Sequence, residues 1–207
     1  MRSHLINRYY TLALFALMAS MVVAPSASHA QGAAATSSAA DLDAARAALS
    51  RYSDPILAVK DGYMSSVACI DFPTGAVDGP VNYPPGAMGV HFINFGNVGP
   101  KLDPTKPQVL IYEQKGDKLV LTAAEWFMPV ELAAGTAPTI FGQTLNGPMD
   151  GHEPIMSAAL RHYDLHVWFW KNNPKGMFTS TNATVKCDPK GTYTVAIGAG
   201  HQHDAKD

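Results

Sequence analysis

The segment Tyr163-Asp-Leu-His-Val-Trp-Phe-Trp170 restricts the fold more than any other part of the chain. Its β-branched and aromatic residues favour an extended backbone, and Asn172-Asn173-Pro174 ends the run. A strand is therefore expected over residues 162–170. Side chains alternate across a strand, so His162, Asp164, His166 and Trp168 share one face, and Tyr163, Leu165, Val167 and Phe169 share the other. The second set is an ordinary core face. The first is polar yet ends in tryptophan, which implies a cavity wall rather than a surface in bulk water.

The rest of the chain supplies partners for such a strand. Gly89–Phe95, Pro107–Gln114, Asp117–Glu131 and Thr192–Gly200 carry strand patterns, and Lys115-Gly-Asp-Lys118 is a hairpin turn between two of them. Upstream, Leu42, Ala45, Leu49 and Tyr52 form a helical stripe with Asp41 as its N-cap. Asp54 and Pro55 restart the helix and Gly62 stops it, giving a helical hairpin or kinked helix over about 41–61. Met64 to Met88 is rich in Pro and Gly and reads as a long irregular loop; a short helix is expected at Ile155–Arg161. The expected fold class is α+β: N-terminal helices followed by a mostly antiparallel sheet or small open barrel, with one disulfide.

The ends divide the chain further. Arg2 and Arg8, an apolar stretch from Thr11 to Val23 and Ser28-His29-Ala30 make residues 1–30 a signal peptide cut after Ala30. The alternative is a retained membrane anchor, for which the apolar stretch is short. Residues 31–40 are a disordered lead-in, 41–198 a single domain, and 199–207 a flexible tail containing His201 and His203. The implied location is periplasmic or secreted, with no membrane anchor after cleavage. A net charge of −2, evenly mixed, lacks the electrostatic footprint of a nucleic-acid binder. Cys69 and Cys187, the only cysteines, suit a disulfide in an oxidising compartment; the alternative, thiolate metal ligands or a nucleophile, lacks any Cys-x-x-Cys spacing.

The chemistry-bearing residues point to a metal. Candidate ligands are His91, His152, His162, Asp164 and His166. Glu113, Glu125, Trp126 and Trp168 are expected to line the same pocket, and Glu113 with Glu125 could form an acid–base pair. Residues four apart on a straight strand are separated by about 13 Å. His162 and His166 therefore do not chelate one ion easily, whereas His162 with Asp164, or Asp164 with His166, can. Imidazole and carboxylate without thiolate suit zinc, copper or non-haem iron, and Met88 or Met149 would add a soft ligand for copper. The bland alternative is a set of hydrogen-bonded polar residues in a cavity wall.

The motifs Gly86-Ala-Met-Gly-Val-His-Phe-Ile-Asn94, Leu102–Glu113, Phe141–Pro154 and His162–Phe178 resemble those of a group of exported bacterial proteins for which no activity is established. The resemblance runs from about Asp61 to Cys187. It implies that His91, His152, His162, Asp164, His166 and the cysteine pair belong to one constellation. Three functions follow from these readings. One is an exported metal-binding protein, zinc or copper, that could be a metalloenzyme. Another is a metal-free module in which Tyr112, Trp126, Trp168 and Trp170 bind a small apolar ligand. The third is an interaction or assembly protein using an open strand edge.

Overall fold

The structure is a computed structural model that describes residues 28–153, 156–188 and 193–196. Residues 1–27 of the expected leader and the tail with His201 and His203 lie outside them. Helix α1 runs over Ser28–Leu49, so its first turns include the stretch expected as a lead-in. A 3-10 turn at Ser50–Ser53 follows, then the short α2 at Pro55–Lys60. Asp54 caps α2 as expected, its Oδ1 accepting from the Ile56 N–H at 3.0 Å, with Pro55 in the first turn. Asp41 lies inside α1 rather than at its start. No helix among the described residues is long and apolar enough to cross a membrane.

Among the described residues eleven strands follow: β1 Met64–Phe72, β2 Ala76–Asp78, β3 Val81–Tyr83, β4 Gly86–Ile93, β5 Val109–Lys115, β6 Lys118–Pro129, β7 Thr139–Ile140, β8 Gln143–Thr144, β9 Asn146–Met149, β10 His162–Val167 and β11 Tyr193–Ala196. Seven form one sheet in the order β11-β1-β4-β5-β6-β10-β9. All neighbours are antiparallel except β11, which pairs with β1 in parallel. The sheet curls into a half-barrel, and the chain is mostly β with little helix. The Cys69–Cys187 disulfide ties the segment leading to β11 onto β1 across a separation of 118 residues.

Three expectations are corrected. Residues 64–88 are not a loop: they hold β1, β2, β3 and the start of β4. The alternation of β1 is hidden because its register with β4 shifts between Ser65 and Cys69, where Val67 adopts φ 51°. Residues 156–161 form turns rather than a helix. Finally, β10 ends at Val167, where the backbone leaves the ladder: Trp168 N–H donates to Met177 O and Trp170 N–H to Thr122 O.

Both faces of the central strands are buried, which explains the nearly continuous apolar runs of β4 and β6. On one face Leu110, Tyr112, Trp126, Leu165 and Val167 pack beneath Ala45, Leu49 and Ala58 of the helices. On the other, Ile93, Val109, Ile111, Ala123, Phe127 and Trp168 form a second cluster. The histidines belong to this second face.

Candidate metal centre

The expected alternation of β10 holds. His162, Asp164 and His166 are at most 1% exposed and share one face of the sheet. The pairing of β10 with β6 sets His166 directly opposite Glu125. His91 comes from β4, two strands beyond β6 in the sheet, and is 4% exposed. Its Nε2 lies 3.5 Å from Glu125 Oε2, and so does His166 Nε2. One carboxylate oxygen thus faces two imidazole nitrogens.

A second group lies beside the first. His152, from the loop after β9, meets His162 with ring centroids 5.8 Å apart, and Asp164 completes the set. In each group, His91–Glu125–His166 and His152–His162–Asp164, one ligand atom per residue lies within 4.8 Å of the others, so each could hold a metal ion. The groups touch where His166 Nδ1 approaches Asp164 Oδ2 at 3.8 Å.

Backbone carbonyls orient one histidine in each group. His91 Nδ1 lies 3.2 Å from Gly89 O, and His162 Nδ1 lies 3.1 Å from Leu160 O. A carbonyl only accepts, so Nδ1 carries the proton and Nε2 presents its lone pair to the pocket. The Gly89 carbonyl depends on glycine: φ is +109°, and a Cβ there would meet Tyr112 O at 2.6 Å. Neither carbonyl is identifiable as a partner from sequence, since nothing in residue type marks it.

Burial governs the charge of the pocket. It lowers His91 to about 4 against a smaller opposing pull from the Gly89 carbonyl, and lowers His152 to about 3 with help from His162 and His91. Burial also holds His166 well below the usual histidine range and lowers His162. It pushes Glu125 well above the usual carboxyl range, reinforced by Asp164, and raises Asp164 as well. The close His–Glu contacts are therefore not ion pairs near neutral pH: the imidazoles are neutral, the form that binds metals. Six buried polar atoms have no hydrogen-bond partner here: Glu125 Oε2, His152 Nε2, His162 Nε2, one Asp164 carboxylate oxygen and both His166 ring nitrogens; the Asn146 side chain hydrogen-bonds the Asp164 carboxylate and pulls it down against burial.

The remaining expected pocket residues separate. Trp168 stays on the histidine face, walled in by apolar neighbours, with its Nε1–H donating to Thr179 O at 2.6 Å. Trp126 does not line this pocket. It follows Glu125 on a strand, so it points to the opposite core, where its Nε1–H donates to Asp103 O at 2.8 Å. Glu113 does not pair with Glu125. Glu125 sits opposite Val109, four residues or about 13 Å along β5 from Glu113. Glu113 is instead clamped by Lys171 Nζ at 2.8 and 2.7 Å and by the Lys186 N–H at 3.1 Å. Of the two methionines, Met149 accepts a hydrogen bond at Sδ from the Tyr83 hydroxyl, and Met88 packs in the same apolar cluster. Both cysteines are consumed by the disulfide, which removes thiolate from the donor set.

No family model matches this chain, and the comparisons with curated proteins and with solved structures return no match.

Proposed function

We propose that this protein is exported and binds a divalent transition metal, zinc or copper, through His91 Nε2, His166 Nε2 and Glu125. The observation that carries the reading is the set of six unpartnered buried polar atoms converging on one pocket. Leaving a buried polar atom unpaired costs about 1–3 kcal/mol, so a concentration of them is a site waiting for a partner. Lone pairs dominate the set, and lone pairs call for a cation. Two neutral imidazoles and a carboxylate, with no sulfur, form a borderline donor set suited to zinc or copper(II). Three protein ligands leave a further position for water, and a metal bound there would polarise that water, as in hydrolytic sites. Export is supported by the leader pattern and the disulfide.

The metal-free ligand-binding alternative loses its main support, because Trp126 and Trp168 are packed with their N–H groups already used. The test is elemental analysis of protein purified without chelator, followed by a thermal shift with added Zn2+ or Cu2+. His166→Ala is expected to lose the metal and the shift. Metal below about a tenth of an equivalent, with no shift on addition, refutes the reading.

A further inference from the structure

We propose that the pocket is binuclear, with a second divalent cation held by His152 Nε2, His162 Nε2 and Asp164 beside the one held by His91, Glu125 and His166. This rests on the reading that the pocket takes metal at all. The two groups share no residue, and each brings its ligand atoms within 4.8 Å of one another. Nitrogens bound to one ion lie at most about 4.2 Å apart, twice a metal–nitrogen bond, and the ligand atoms here fall into two sets rather than one. An ion in the first group satisfies Glu125 Oε2 and His166 Nε2. It leaves His152 Nε2, His162 Nε2, one Asp164 oxygen and His166 Nδ1 unpartnered.

The second group is built as the first is. One histidine is locked by a backbone carbonyl two residues upstream, Leu160 for His162 as Gly89 for His91, with Nε2 turned inward. The loop bringing His152 is folded tightly: Gly151 N–H donates to Ala158 O, and a Cβ on Gly151 would collide with the Ser157 carbonyl. Each group carries one carboxylate, so the pair divides its negative charge between two cations.

Asp164 lies where the two meet. One oxygen can ligate the second ion while the other faces His166 Nδ1, 3.8 Å away. That separation exceeds a hydrogen bond, so Asp164 acts as a ligand of the second ion and lies beside the first group without orienting it.

The experiment is a titration of the purified, disulfide-bonded protein with Co2+, read by visible absorption, alongside the zinc content of equilibrated samples. Two equivalents are expected for the parent and one for His152→Ala. Glu125→Met should likewise retain one, in the second group. Asp164→Asn should lose the second equivalent and keep the first. The parent stoichiometry needs no variant to fold. A parent that saturates at one equivalent overturns the binuclear reading and leaves the mononuclear site standing. Retention of both equivalents by His152→Ala also overturns it. A parent that binds none overturns both.

Discussion

Replacing Glu125 by methionine should move stability in opposite directions with and without metal. In the chelated protein, Glu125 Oε2 is buried without a hydrogen-bond partner, and burial with the nearby Asp164 pushes its carboxyl well above the usual range. Methionine has similar length, fits among Ala123, Phe127 and Val109, and carries no group that must be satisfied. Removing one orphaned buried acceptor recovers about 1–3 kcal/mol. For a domain of this size that corresponds to about 2–4 °C per kcal/mol, a rise of about 2–12 °C in the chelated state. With metal the sign reverses. Free zinc at about 100 times Kd stabilises the parent by about 2.7 kcal/mol, and at 1,000 times by about 4.1. At the same free zinc concentration, the variant lacks the ligand that closes the first group and forgoes that site's share. Urea unfolding of parent and variant, each in chelator and in buffered zinc, measures all four terms. The expected result is a variant more stable than the parent in chelator that gains less from zinc. A variant less stable in chelator, by 1 kcal/mol or more, would refute the argument that the unfilled pocket carries unmet polar atoms.

Other predictions follow from residues outside the pocket. Glu113 is nearly buried; burial pushes its carboxyl up, but the Lys171 hydrogen bonds and the Lys186 N–H prevail and hold it below the usual range. A depressed carboxyl contributes stability that is present above its unfolded pKa and lost as pH falls through the folded one. Glu113→Gln should therefore cost about 1–2 kcal/mol at pH 7, discounted for the partly exposed lysines, and the gap to the parent should narrow in urea titrations as pH falls below the ordinary carboxyl range. Trp126→Phe removes the hydrogen bond to Asp103 O and part of the core under the helices. It should lower stability by about 1–3 kcal/mol while leaving metal stoichiometry and affinity unchanged, since it lies on the other face of the sheet. Reducing the Cys69–Cys187 bridge should cost about 2–4 kcal/mol, seen as a lower urea midpoint in the presence of thiol.

Much of the local structure was legible before any coordinates. The alternation of His162–Val167, the Gly116-Asp117 hairpin turn and the Asp54-Pro55 helix start all appear where neighbouring residues demand them. Parity along a strand is a local property, so the polar face of β10 was readable. The same rule should have separated Glu125 from Trp126: adjacent strand residues face opposite ways, and grouping them in one pocket ignored it. The strand β1 was hidden by its bulge at Val67 and by the Pro- and Gly-rich hairpin after it, which together imitate a loop. The disulfide pairing was legible because the chain has only two cysteines.

What the sequence determined by itself is therefore the donor chemistry and its orientation along each strand: imidazoles and carboxylates without free thiolate, with His162, Asp164 and His166 on one face. The separation of His162 from His166 already argued against a simple chelate of one ion by the two, since extended backbone spaces them about 13 Å apart. Tertiary structure alone decided which partners each would meet. The order β4-β5-β6-β10 and the curl of the sheet carry His91 to Glu125 and His166, while the loop after β9 carries His152 to His162 and Asp164. Strand order and curl are set by packing over the whole core, on both faces at once. No short stretch of sequence encodes them, which is why the histidines could be nominated from the sequence but divided into two groups only by the fold.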